Sequence, residues 1–109
     1  MDGARLGRIT RATFGFGGYD NAMIGLSLSF QGEAWGVKDF KGTWANWTER
    51  RKWTLDEQRG VFADAVELLR DTLHAAKKTD IAELVGTPVE VTFEGNVIKS
   101  WRVLTEVVG

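Results

Sequence analysis

The 109-residue chain has no cysteine, a single histidine, a single proline and a single tyrosine. Without cysteine there is no disulfide framework, no thiolate nucleophile and no zinc site of the thiolate kind. One histidine excludes a histidine cluster. Neither sign of charge dominates, because 14 basic and 15 acidic side chains leave a net charge of −1. A protein that binds duplex DNA regardless of sequence carries a stronger basic excess, so that class is disfavoured, whereas small anions remain suitable ligands. No stretch approaches the roughly 18 apolar residues of a membrane span, and MDGARLGRIT lacks the apolar core of a signal peptide. A cytoplasmic protein is expected.

The composition is otherwise that of a folding chain, with 43% hydrophobic and 27% charged residues, and its length suits one domain over residues 1–109. Its unusual content is five tryptophans, six phenylalanines and thirteen glycines. Charge is unevenly spread. Met1 to Trp53 holds eight basic and five acidic residues, a balance of +3, and Thr54 to Gly109 holds six basic and ten acidic, a balance of −4.

From Ala22 to Phe30 the even positions are apolar while Gly25, Ser27 and Ser29 take the other parity, a period of two that predicts a half-buried strand. Arg5 to Phe14 reads as a poorer strand before it, joined through a glycine-rich connection, Gly15 to Asn21. The Gln31-Gly32-Glu33 turn leads to a short third strand, Ala34 to Lys38. Asp39 to Trp53 has no clean period and reads as a long loop. Thr54-Leu55-Asp56-Glu57 is a capping box, and Leu55, Phe62, Ala65, Val66, Leu69, Leu73 and Ala76 follow at helical spacings, predicting a helix from Leu55 to Lys78 with one apolar stripe. Asp80-Ile81-Ala82-Glu83 repeats the cap and predicts a short helix over Ile81 to Val85, stopped by Gly86 and Pro88. Val89 to Glu94 and Val97 to Val108 read as a closing hairpin. The last strand is apolar on both parities, which requires either cover on both faces or a bulge that resets its register.

The order β-β-β-α-α-β-β predicts an α+β fold, an antiparallel sheet of about five strands with one long helix packed across one face. The other face must be polar or covered by a second copy. The two-faced last strand favours the second copy, so a homo-oligomer is expected.

The glycine loop FGFGGYD offers backbone amides to an anion but is followed by a strand, so its context is that of a hairpin connection rather than a phosphate loop. Tryptophans interleaved with cations, Trp44, Trp47 and Trp53 with Arg50, Arg51 and Lys52, are the pattern that stacks on a base and neutralises phosphates. The competing reading buries the rings in the core and leaves the cations solvated. Tyr19, Arg8 and Arg11 complete the candidate ligand-binding set. Strand alternation puts Arg5 and Arg11 on one face and Arg8 on the other unless a bulge intervenes. Glu67, Asp71 and His74 lie one helical turn apart, but one imidazole with exposed carboxylates reads as a solvated face, so no metal and no cofactor are expected. The serines Ser27, Ser29 and Ser100 lack a neighbouring histidine, and nothing selects a carboxylate pair from Asp20, Asp39, Glu90 and Glu94. No catalytic residue is assigned.

The strings FGFGGYDNAMIGLSLSF, AWGVKDF, RKWT and LVGTPVEVTFEGNVIKSWRVLTEV span nearly the whole chain and resemble small proteins encoded by bacteriophages and prophages. That group has no assigned activity, so no residue role is carried over from it. The resemblance implies a bacterial host cytoplasm and an accessory, anti-defence role: sequestering a small phosphorylated, nucleotide-like molecule as a homo-oligomer without catalysis, or occluding a host defence protein as an anti-CRISPR-like inhibitor does. Neither a membrane nor duplex DNA is an expected partner.

Overall fold

A computed structural model describes residues 2–45 and 54–108. Five antiparallel strands form one sheet in the order β3-β2-β1-β4-β5, comprising β1 (Gly3–Gly17), β2 (Met23–Gly32), β3 (Trp35–Trp44), β4 (Pro88–Glu94) and β5 (Val97–Val103). Helix α1 spans Leu55–Ala76 and a helical turn, α2, spans Thr105–Val108. The expected α+β architecture is present.

Local chemistry sets the ends of the elements. The Thr54 hydroxyl accepts from the Glu57 amide at 3.1 Å, satisfying one of the free donors at the start of α1. At the other end Lys77 turns left-handed with φ 57°, and the Lys78 amide donates to Leu73 at 2.9 Å. The helix therefore stops at Ala76, two residues before the expected Lys78. Asp80 caps a single 3-10 turn, Ile81–Leu84, by accepting from the Ala82 amide.

The buried side chains Ile9, Leu26, Leu28, Phe30, Leu84, Val89 and Val91 form the centre of the core. Full burial of such a side chain contributes about 1.5–3 kcal/mol. Helix α1 makes its main sheet contacts with β2, β3 and β5, so it lies along the open side of a curled sheet. The curl is visible in the aromatic contacts. Trp35 of β3 meets Phe93 of β4 edge-on with ring centres 5.3 Å apart, and Phe30 of β2 lies 5.4 Å from Trp101 of β5. Each pair belongs to strands three places apart, about 14 Å in a flat sheet.

Glycines make room for these rings. A Cβ on Gly32 would stand 2.3 Å from the Trp35 indole and one on Gly7 2.8 Å from it, so the ring of β3 crosses β2 and β1 over bare backbone. On the opposite face Gly25 and Gly42 are register partners, and a Cβ on Gly25 would lie 2.2 Å from the Lys41 carbonyl oxygen. The Phe40 ring, opposite Ser27, reaches Gly17 of β1, four residues further along in register. That step is about 13 Å along a flat strand, so the sheet bends across the Gly15-Gly25-Gly42 row.

Four expectations are corrected. Asp39 to Trp44 is strand rather than loop, paired with β2 from Gly32↔Trp35 through Met23↔Trp44. Its period of two was masked because core-side positions carry Asp39 and Lys41. Gly15, Phe16 and Gly17 extend β1 instead of forming a loop, which leaves Gly18 and the 3-10 turn Tyr19–Asn21 as the connection. The last strand ends at Val103; Val107 and Val108 belong to α2, and the buried Leu104 links the two. It lies at the sheet edge, and a register shift between Thr92↔Ser100 and Phe93↔Ile98 leaves Lys99 as the extra residue. The bulge lets Ile98, Trp101 and Val103 all pack on the core, so its two-faced pattern needs no second layer. In α1, finally, Ala65, Thr72 and Ala76 are buried whereas Val66 and Leu55, expected in the buried stripe, are exposed.

The sheet face away from the core carries Arg8, Arg11, Ser27, Ser29, Gln31 and Lys38 together with the apolar side chains of Leu6, Phe40 and Trp44. Among the described residues no helix is long and apolar enough to cross a membrane.

Candidate functional site

The polar face of the sheet is built from register. In β1, Ile9 pairs with Phe30 and Arg11 with Ser29, so Thr10 is an inserted residue and the parity of the strand flips there. The Thr10 hydroxyl, donating to the Ser29 carbonyl at 3.3 Å, sits on the bulge. The bulge turns Arg8 and Arg11 to the same outer face, which no described element covers, and leaves Arg5 on the core side, which corrects the pairing of Arg5 with Arg11 expected from simple alternation.

Rows of register partners then order this face across β1, β2 and β3. The first row is Arg8, Gln31 and Gly36; the second is Arg11, Ser29 and Lys38; the third is Thr13, Ser27 and Phe40. Rows two residues apart on a strand are about 7 Å apart. Arg8, Arg11 and Lys38 are exposed, and none of the three has an ion-pair partner among the described residues. The serine and threonine hydroxyls between them add further donors.

The first row opens into a groove of about 550 Å³ lined by Leu6, Gly7, Arg8, Gln31, Gly32 and Glu33. It exists because β1 outruns β2: pairing with β2 starts only at Gly7↔Gly32, while Gly3 to Leu6 pair with β4 alone. Ile9 donates to Thr87 and accepts from Gly86 on the β4 side. Antiparallel alternation therefore points the backbone of Leu6 the other way, past the end of β2 and into the groove. A groove of this size is that of a small-molecule site.

The other candidates are placed as follows. Trp44 ends β3 on this same face, half-buried in a row with Met23 and Gly17, at the far side of the glycine bend from the arginines. Tyr19 opens the 3-10 turn between β1 and β2, and its side chain lies outside the described structure. Trp47, Arg50, Arg51, Lys52 and Trp53 lie outside the described residues. The sequence reading missed Lys38 and Phe40. Their signal was their shared parity, Lys38 at the end of the expected third strand and Phe40 in what read as the loop after it.

The carboxylates do not converge. Asp39 lies on the core side, accepting from the Trp101 indole, and Glu90 accepts from Arg102 at 3.2 Å on the outer face. Asp71 is ion-paired with its neighbour Arg70 at 3.0 Å. Among the described residues no three histidine, aspartate or glutamate side chains are grouped to hold a metal. Two carboxyl groups titrate below their ordinary range: Glu83, because the Thr79 hydroxyl and amide both donate to it, and Glu106, because Arg102 does. Both are exposed and serve local structure.

No known protein family, curated protein or solved structure matches the chain.

Proposed function

We propose that this chain is a non-enzymatic binding protein that captures a small phosphorylated, nucleotide-like molecule on the outer face of its sheet. The observation that carries the reading is the triad Arg8, Arg11 and Lys38: three exposed cations without ion-pair partners among the described residues, in adjacent rows beside a groove. Phosphate oxygens accept from guanidinium and ammonium groups through charge-assisted hydrogen bonds, and arginine presents its donors in a fork matched to them. Ser29, Thr13 and the Leu6 amide supply further donors. Phe40 stands one row from Arg11 and Lys38 in register and turns its ring over Gly17, so a base stacked on it would lie toward the glycine bend. The resemblance to phage proteins supports an anti-defence setting, in which a host signalling nucleotide is withdrawn from its receptor and is not turned over.

The test is thermal denaturation and tryptophan fluorescence with nucleoside mono-, di- and triphosphates and cyclic oligonucleotides. A ligand present at a hundred times its Kd stabilises the fold by about 2.7 kcal/mol. At least one phosphorylated compound should raise the melting temperature, be recovered unchanged, and lose its effect in Arg11→Ala and Lys38→Ala. Absence of any such compound overturns the proposal, and co-purification of a host protein lost on Arg11→Ala replaces it with the inhibitor reading.

A further inference from the structure

Strand β3 is one edge of the sheet, and among the described residues no strand lies along its outer side. The Ala45 amide donates to the Ala22 carbonyl at 3.0 Å, one step beyond the Met23↔Trp44 pair. By antiparallel alternation Trp35, Val37, Asp39, Lys41 and Thr43 therefore turn their N–H and C=O groups to β2, while Gly36, Lys38, Phe40 and Gly42 turn theirs outward. Gly36, Lys38 and Gly42 are exposed. Two of those three have no side chain, so the main chain itself is open at both ends of the row. The strand has ten residues with neither a proline nor a register shift against β2. Such an edge is a template for further pairing, and inward-facing charges are a common guard against it. The inward-facing charges here are Asp39 and Lys41, of opposite sign and one residue either side of Phe40.

We propose that a second copy of the chain pairs with this edge, β3 antiparallel to β3, about a two-fold axis through Phe40. The charges select that occupant and that register. With Phe40 opposite Phe40 of the second copy, Asp39 stands opposite Lys41 of the second copy and Lys41 opposite its Asp39. These are positions without direct hydrogen bonds, where facing Cα atoms come within about 4.5 Å and side chains meet. An axis through Lys38, Asp39 or Lys41 would instead set that residue against itself, like charge on like. An axis through Gly42 would face Lys41 with Thr43 and lose both ion pairs. Asp39 and Lys41 are free to pair in this way: the Trp101 indole takes one carboxylate oxygen and leaves the other without a partner, and the Lys41 ammonium over the Trp101 ring has no carboxylate beside it among the described residues. Phe40 facing itself and Lys38 facing Gly42 twice exchange about six main-chain hydrogen bonds. The axis stands normal to the sheet, so the outer faces of the two copies join and the rows bearing Arg8, Arg11 and Lys38 stay open. The second copy thus extends the sheet at its edge and does not lie over its face.

Sedimentation velocity from micromolar to near-millimolar protein should show the unmodified chain passing from monomer to dimer. Lys41→Glu, at an exposed site, places like charge opposite Asp39 twice by symmetry and should raise the dimer dissociation constant about tenfold, with unchanged circular dichroism at monomer concentrations. Register is read by cysteine, which the chain lacks. In this pairing position 40 meets itself with Cα atoms about 5.5 Å apart, within the span of a disulfide, whereas position 38 stands about 14 Å from its own copy. Mild oxidation should therefore link Phe40→Cys into dimers and leave Lys38→Cys unlinked. A chain that stays monomeric throughout overturns the proposal. So does a dimer whose dissociation constant Lys41→Glu leaves unchanged, or linkage of Lys38→Cys equal to that of Phe40→Cys.

Discussion

The indole N–H of Trp101 on β5 donates to the Asp39 carboxylate on β3 at 2.8 Å, joining the two edge strands of the sheet. In a flat five-stranded sheet those edges stand about 19 Å apart, beyond the reach of the two side chains. The bond therefore exists only because the sheet curls, and it helps to hold the curl. Lys41, two residues along β3, adds its ammonium group 5.0 Å from the centre of the Trp101 ring. Two polar residues on the core side of an edge strand, which obscured that strand in the sequence, are thus the partners of one tryptophan.

Trp101→Phe keeps a ring but removes the donor, leaving the half-buried Asp39 carboxylate unsatisfied; a loss of about 1–3 kcal/mol is expected in urea unfolding. Asp39→Asn, which retains an acceptor, should lose less than Asp39→Ala. Trp101→Ala should cost about 3–5 kcal/mol, because the ring is also a core side chain.

Two glycine substitutions should move stability in opposite directions. Gly25→Ala forces a methyl group against the Lys41 carbonyl at the bend and should destabilise by about 1–3 kcal/mol. Gly60→Ala sits in an exposed helix interior with open space around it and should stabilise by about 0.5–1 kcal/mol. Unfolding free energies of both variants beside the parent provide the check.

Acid should weaken the fold through two exposed carboxylates. The Thr79 hydroxyl, donating at 2.7 Å, holds Glu83 below its ordinary pKa of 4.5, and Arg102 does the same to Glu106. A carboxyl whose folded pKa is depressed contributes stability that is complete above its unfolded pKa and is lost as pH falls through the folded value. The melting temperature should therefore drop on acidification from near neutral to below the ordinary carboxylate range. Glu83→Gln and Glu106→Gln should each reduce that drop while leaving it present, since other carboxylates titrate in the same window.

Anion binding at the sheet face should weaken as salt rises, because the three cations are exposed and screened by added ions. Arg8→Ala, Arg11→Ala and Lys38→Ala should each weaken affinity for a phosphorylated ligand and shallow its salt dependence. Arg5→Ala, on the core side of β1, should change neither. Titration calorimetry across several salt concentrations separates these outcomes.

Elements with strong local signals were legible from the residues alone. The alternation of β2, the Thr54 cap with the helix behind it, the Asp80 turn and the β4–β5 hairpin all follow from neighbours along the chain. The candidate site was legible only in part. Arg8 and Arg11 were picked out, but a one-residue bulge at Thr10 decides which face they share, and bulges leave little trace in side-chain types. Phe40 escaped because Asp39 and Lys41 break the alternation around it, and Lys38, at the end of the expected third strand, was not linked to the arginines because the register that joins them is a tertiary property.

Sequence by itself determined the fold class, the α1 start and the absence of thiol chemistry, since each depends on residue types and short-range spacing. It also marked the glycines as unusual without saying what they were for. Only the tertiary structure decided that Gly7 and Gly32 lie beneath Trp35, that Gly25 meets Gly42 at a bend, and that β3 and β5 meet through Asp39 and Trp101. Those relationships join residues up to 62 positions apart. They arise from the curl of the whole sheet, a property that no single stretch of chain encodes.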